Sequence, residues 1–308
     1  MTGTDGEVDM TAFSLLSHEL RLGILEAFFD RWTALDPDSM TETKSERGMS
    51  YSELMDAVGI EDSGKFNYHL QQLRGVYVEK VGEQYVPTAS AIALYQTVLA
   101  NRPTEMVERT TFDIGMGCPY CAGEVVGRYE QESLTVECVD CEEWWGLTYG
   151  FPKNGLRGRS GTDVLEALEN RAMYDIGLAR TGQCPACAGH TTVEMPRERL
   201  DGDRYPTAEF TCQTCSWVAT IDVLNALRFV PQVSRALTEA GLFPEDEWGE
   251  NGESDDGATT VTTPDVTGHV DSEDPFRVAI TVETDDATVR MLVSDDLGVQ
   301  SVSVEKSQ

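Results

Sequence analysis

The chain has 308 residues, 54 of them Asp or Glu against 23 Lys or Arg, for a formal charge of −31. It has no apolar run near the roughly 20 residues of a membrane span, and its polar opening, Met1 to Glu7, lacks the marks of a signal peptide, so a cytoplasmic protein with no membrane partner is expected. The charge excludes a polycation that holds nucleic acid by counterion release alone, while the length allows two or three domains with their own cores.

In chain order, apolar residues Phe13, Leu16, Leu20, Ile24, Leu25 and Phe28 predict a first helix from about Asp9 to Trp32. Thr33 to Gly48 has no periodicity and reads as a long loop. Ser50-Tyr51-Ser52-Glu53 is a Ser-x-x-Glu capping box. It opens a helix that turns Leu54, Met55 and Val58 inward and ends at Gly59, where the absent Cβ permits a left-handed terminus. A second helix over Ser63 to Arg74 carries Phe66, Leu70 and Leu73 on one stripe. Its other face presents Lys65, Asn67, Tyr68, Gln71 and Gln72, a set of amides, a hydroxyl and an ammonium that suits base edges in a major groove. Val76 to Pro87 alternates around Gly82 as a short hairpin, with Lys80 placed to touch phosphate. Helix, turn, helix and hairpin together predict a winged helix over residues 1–105. The same fold used only for protein contacts is the blander reading. A further helix, Thr88 to Ala100, sets Ile92, Tyr95, Val98 and Leu99 on one side, either to cover its own core or to meet a second copy. Asn101-Arg102-Pro103 breaks it and places a boundary near residues 101–110.

All eight Cys fall in Cys-x-x-Cys pairs. Cys118 and Cys121 precede Cys138 and Cys141 by a 16-residue spacer, and Cys184 and Cys187 precede Cys212 and Cys215 by one of 24. Two such knuckles complete a tetrahedral Cys₄ site, so two structural Zn²⁺ ions are expected, with redox dithiols or iron–sulfur as the alternatives. Strands are read at Glu124–Tyr129, Ser133–Glu137, Thr191–Met195 and Ala208–Thr211. The shared Cys-Pro-x-Cys-Ala-Gly openings, Cys118 to Gly123 and Cys184 to Gly189, mark an internal duplication. Residues 111–243 thus read as a tandem zinc-ribbon domain covered by helices over Gly161–Ile176, Thr220–Phe229 and Pro231–Gly241.

Trp144, Trp145 and Trp217 follow the second knuckles and are read as core or interface residues, with stacking on a base as the sharper alternative. Lys153, Arg157 and Arg159 lie in an acid-free stretch from Trp144 to Thr162, a candidate contact for phosphate or an acidic partner, or simply a solvated loop. Residues 244–274 read as an acidic linker. Phe276–Thr284, Ala287–Ser294 and Val299–Val304 read as a three-stranded meander, residues 275–306, docking on the zinc domain. The fold class expected is multidomain α+β.

The run Gly64-Lys65-Phe66-Asn67-Tyr68-His69-Leu70, with Phe13-Ser14-Leu15-Leu16-Ser17 and Arg21-Leu22-Gly23-Ile24-Leu25 before it, resembles ArsR-type winged-helix proteins of haloarchaea. Over most of its length the chain is similar to haloarchaeal regulators with a Cys-Pro-x-Cys region and a terminal acidic β-segment. The resemblance implies a dimeric transcriptional regulator bound to double-stranded DNA. An acidic surface with only five Lys also resembles proteins that work in molar salt, where screening falls to about 3 Å and recognition rests on base edges and shape. The runner-up is a zinc-ribbon scaffold that meets transcription or translation machinery, or RNA, without specific DNA readout. No enzyme is expected: His18, His69, His190 and His269 have no ligand or triad spacing, and no Gly-rich loop cradles phosphate. ArsR-type metal sensing has no Cys to use in residues 1–110.

Overall fold

In the computed structural model, which describes residues 11–33, 48–105, 110–118, 120–141, 147–197, 206–242 and 264–306, four helices begin at side-chain caps, supplied by Ser50, Asp62, Thr88 and Asp222. The chain divides into two units, Met1–Met106 and Val107–Gln308. The architecture is mixed α+β, with several small antiparallel sheets. Among the described residues no helix is long and apolar enough to cross a membrane.

The first unit runs α1 (Thr11–Ser14), α2 (Glu19–Thr33), α3 (Tyr51–Val58), α4 (Ser63–Leu73), β1 (Val78–Val81), β2 (Gln84–Pro87) and α5 (Ala89–Asn101). At α3 the Ser50 hydroxyl accepts from the Glu53 N–H and the Glu53 carboxylate accepts from the Ser50 N–H, both orphan donors being satisfied reciprocally. Gly59 ends the helix at φ 70°. Asp62 caps α4 by accepting from the Lys65 N–H at 2.9 Å. Ile24, Phe28, Leu54, Phe66, Leu70 and Leu73, all fully buried, make the core that fixes α4 against α2 and α3.

One expectation in this unit is corrected. The first helix is broken, because Ser17 Oγ donates to the Ser14 carbonyl and His18 Nδ1 accepts from the Leu20 N–H, which restarts the helix as α2. The break turns Phe13 outward, 55% exposed. In α5, Ala91, Ile92 and Tyr95 face the core and Tyr95 stacks on Phe29 at 3.9 Å, but Val98 and Leu99 are exposed. The loop expected over Thr33 to Gly48 lies almost wholly outside the described residues.

The second unit opens with a four-stranded sheet in sequential order, β3 (Thr110–Gly117), β4 (Glu124–Glu130), β5 (Ser133–Cys138) and β6 (Leu147–Gly150). Helix α6 (Thr162–Arg180) follows, then the three strands β7 (Thr191–Glu194), β8 (Thr207–Cys212) and β9 (Val218–Asp222), and helices α7 (Val223–Leu227) and α8 (Pro231–Glu239). A last sheet holds β10 (Asp265–Glu273), β11 (Phe276–Glu283), β12 (Ala287–Ser294) and β13 (Val299–Lys306), again in order. The first half of α6 packs Val164, Leu165 and Leu168 on the first sheet. Its second half puts Ile176 and Ala179 into a different core, shared with Phe210, Val223, Leu237, Val278, Ile280 and Val289. The last sheet therefore packs in one core with the second Cys-bearing sheet and the helices after it.

Here too the sequence reading is corrected. Strands β3 and β6 flank the first predicted pair. The helix expected from Thr220 starts at Val223, because Asp222 caps it by accepting from the Asn225 N–H at 2.8 Å, and Val218–Asp222 is strand. The end of the acidic linker, Asp265–Glu273, is strand β10, so the meander has four strands. Its acids Asp265, Asp271 and Glu273 sit at exposed positions while Val266 is buried, and composition concealed that alternation. Residues 244–263 of the expected linker lie outside the described residues.

Candidate metal centres and candidate nucleic-acid interface

Each Cys-Pro-x-Cys knuckle is built by the same three backbone devices. In the first, the Cys118 N–H donates to the Gly123 carbonyl at 2.8 Å, the Ala122 N–H donates to the Cys118 carbonyl at 2.8 Å, and Ala122 takes a left-handed φ of 58°. In the second, Cys184 donates to the Gly189 carbonyl at 2.8 Å, Ala188 donates to the Cys184 carbonyl at 2.9 Å, and Ala188 has φ 60°. The glycines are required by crowding. A Cβ on Gly123 would stand 2.2 Å from Asp140 Oδ2, and one on Gly189 would stand 2.5 Å from Thr214 Oγ1. The partner knuckles come from the end of β5 and the end of β8, so each sheet carries its sulfurs at one end.

The four Sγ atoms of Cys118, Cys121, Cys138 and Cys141 lie within 4.8 Å of one another, as do those of Cys184, Cys187, Cys212 and Cys215. The closest separations, 3.7 Å for Cys118–Cys141 and Cys184–Cys215 and 3.6 Å for Cys121–Cys138 and Cys187–Cys212, are far outside a disulfide. They match the edge of about 3.8 Å of a tetrahedron with 2.3 Å metal–sulfur bonds. Backbone N–H groups point at the sulfurs: Gly123 to Cys121, Asp140 to Cys138, Gly189 to Cys187, Thr214 and Cys215 to Cys212. Burial pushes the Cys118 thiol up, but the N–H groups of Tyr120 and Cys121 and the neighbouring sulfurs outweigh it and bring it to about 7. In the second cluster the Cys215 and Thr214 N–H groups bring Cys212 down to about 6. Cys121 and Cys187 go the other way, to about 12: each receives a favourable N–H, from Gly123 and Gly189, but the adjacent sulfurs and burial outweigh it. One thiolate per cluster is thus stabilised by the backbone, and four adjacent thiolates need a cation among them. Each cluster is able to hold one metal ion.

On α4 the predicted reading residues Lys65, Asn67, Tyr68, Gln71 and Gln72 are all exposed, Tyr68 to 59%. Their spacing sets up a chain of contacts along the helix, with Gln71 Nε2 donating to Asn67 Oδ1 at 3.3 Å and Arg74 Nη1 donating to Gln71 Oε1 at 2.8 Å. Arg74 is a cation on this face that the sequence reading left out, although its position three residues beyond Gln71 signals it. Lys80 is engaged instead with its own hairpin, 3.6 Å from Glu83 and 5.8 Å over the Tyr85 ring. The sequence reading also passed over His69, buried at i+3 from Phe66, which stands 3.9 Å from the His18 ring and accepts from Arg21 Nε at 3.4 Å. Burial first, then His18, Arg21 and Lys65, hold its pKa below the usual histidine value.

The other candidates fare differently. Lys153 pairs with Glu132 at 3.8 Å and Arg159 donates to the Gly155 carbonyl at 2.9 Å, so two of the three cations of that loop brace it, leaving Arg157 exposed. Trp217 packs against the core around Phe210 and Val278, whereas Trp144 and Trp145 lie outside the described residues.

Two family models match the chain: a domain of unknown function (DUF7351) over residues 115–299, and a second domain of unknown function (DUF7347) over residues 9–98. No curated protein and no solved structure matches it.

Proposed function

The chain belongs to the DUF7351 family, and from that premise we propose that it is a sequence-specific DNA-binding transcription regulator whose first unit is a winged helix. The observation that carries the reading is the outer face of α4. Lys65, Asn67, Tyr68, Gln71, Gln72 and Arg74 are exposed together, no carboxylate stands among them, and Phe66, His69, Leu70 and Leu73 anchor the opposite face. Such a helix enters a major groove with its amides and guanidinium toward base edges. The hairpin β1–β2 is the wing.

The two Cys₄ clusters are structural zinc sites at the ends of zinc ribbons. Bound zinc supplies folding free energy there, since a closed four-thiolate site leaves no open position for chemistry. The residues around it orient the thiolates through N–H donors and exclude bulk at Gly123 and Gly189. The protein is not an enzyme in this reading, and it acts as a homodimer with the cytoplasm as its compartment.

Genome-wide occupancy of the tagged protein in a halophilic host, beside a variant with Tyr68, Gln71 and Gln72 changed to Ala, tests the reading. Discrete peaks that vanish in the variant support it. A native protein with normal zinc content and no peaks sinks it in favour of the scaffold alternative, for which the exposed Tyr174, Leu178 and Phe229 of the second unit offer a contact surface.

A further inference from the structure

On the outer face of α4, Asn67, Gln71 and Arg74 are exposed and spaced i, i+4 and i+7, so they stand in one row along a flank of the helix. The row has a direction. Arg74 Nη1 donates to Gln71 Oε1 at 2.8 Å, and Gln71 Nε2 donates to Asn67 Oδ1 at 3.3 Å. A guanidinium carries donors and no acceptor, so Arg74 fixes which end of the Gln71 amide it meets, and Gln71 in turn fixes Asn67. Both amide oxygens are engaged inside the row.

What the row keeps for a ligand is donors: the other guanidinium N–H groups, the second N–H of Gln71 and the NH₂ of Asn67. Lys65, on the far flank, adds an ammonium, which only donates. No residue of Ser63–Leu73 is acidic, and Asp62, just before the helix, is taken up in capping the Lys65 N–H, although the chain carries 54 Asp and Glu. In the major groove guanine presents two neighbouring acceptors, O6 and N7. Adenine pairs an acceptor with a donor, cytosine presents a donor, and thymine presents an acceptor beside a methyl group. A row of donors matches guanine.

We propose that Asn67, Gln71 and Arg74 act as one donor row that selects a run of guanines on one strand of the operator. The inference rests on the DNA-binding reading of α4 and adds to it the class of sequence read. Seven residues of helix rise about 10 Å, the length of about three base pairs at 3.4 Å each, so the run is about three guanines long. Unconstrained Asn and Gln side chains pair with adenine through oxygen and NH₂ together. Here the oxygens are already engaged, which turns Asn67 and Gln71 from adenine toward guanine.

In the test, a random-sequence duplex library is selected on the full zinc-loaded chain in molar salt, and the enriched duplex is titrated by fluorescence anisotropy. The expected motif holds about three consecutive guanines on one strand. Placing 7-deazaguanine at any of them removes N7 and keeps Watson–Crick pairing, and should weaken binding by about tenfold. Gln71→Glu exchanges the donor end of the amide for a second acceptor. Selection on that variant should lose guanine from the middle of the run and admit cytosine, whose N4 donates to a carboxylate; a side chain that merely braced the helix would change affinity and not the motif. An enriched motif without the guanine run overturns the inference while the DNA-binding reading stands. So does a run indifferent to 7-deazaguanine, or a Gln71→Glu motif unchanged from the native one. No enrichment of any sequence overturns the DNA-binding reading itself, and this inference falls with it.

Discussion

The Tyr149 hydroxyl donates to Asp175 Oδ2 at 3.0 Å, tying the last strand of the first Cys-bearing sheet to the middle of α6. Tyr149 packs against both the core around Leu134 and the core around Phe210, so this one ring spans the two halves of the second unit. Burial, and after it the Asp175 carboxylate, push its pKa well up, which keeps the hydroxyl a donor at any ordinary pH. Tyr149→Phe should therefore cost about 1–2 kcal/mol, read as a lower denaturation midpoint by tryptophan fluorescence. Asp175→Asn, which still offers an acceptor oxygen, should cost less. Equal stability of Tyr149→Phe and the native chain would show that the ring alone makes the joint.

Metal content should respond to single atoms near the knuckles. Cys118→Ser and Cys184→Ser each remove one of four donors from a different cluster, and elemental analysis should find about one metal ion per chain lost in each. Gly123→Ala is the finer test. Its new methyl would collide with the Asp140 side chain, which also accepts from the Glu124 N–H. Overpacking of this kind costs about 1–3 kcal/mol, so the first site should release metal to a chelator faster while the second keeps its native rate.

These sites were legible because knuckle spacing is local: two Cys in four residues can only meet in a tight turn. Caps are local in the same way, and Ser50 and Gly59 bound their helix through hydrogen bonds that span four residues or fewer. What escaped depended on partners far along the chain. Strand β3 precedes the first knuckle as Thr-Thr-Phe-Asp-Ile-Gly-Met-Gly, with too many glycines to read as a strand until β4 pairs with it. Strand β10 looked like linker because its acids lie on the solvent side of a sheet whose other three strands come later. His69 was passed over for a different reason. Its stripe position beside Leu70 fits burial, but a polar ring is placed there only by His18 and Arg21, 51 and 48 residues earlier in sequence.

In the proposed DNA-binding reading, Lys80 on the β1–β2 hairpin should matter less than the outer face of α4. Lys80 is held by Glu83 and the Tyr85 ring, so its charge is partly offset before any phosphate approaches, and molar salt screens what remains. Lys80→Ala should weaken operator binding by less than about threefold, whereas Arg74→Ala should cost about 1–3 kcal/mol if its guanidinium reads a base. Fluorescence anisotropy on a duplex taken from an occupancy peak checks both. A larger loss for Lys80→Ala than for Arg74→Ala would move the contact from the helix to the wing.

The buried histidine sets a pH limit on the first unit. His69 titrates below the usual value because burial, then the His18 ring and the Arg21 and Lys65 charges, disfavour its imidazolium. In the unfolded chain it titrates near 6.5. As pH falls through that value the unfolded state takes up the proton first, so stability is lost on acidification and is fully present above it, with a slope of at most about 1.4 kcal/mol per pH unit. The melting temperature of the first unit should therefore drop between neutral pH and pH about 5, and α4, which His69 anchors, should lose amide protection with it. His69→Gln keeps a polar side chain that Arg21 can meet but carries no titrating ring, and it should flatten this dependence. Persistence of the full pH dependence in that variant would show that His69 is not its source.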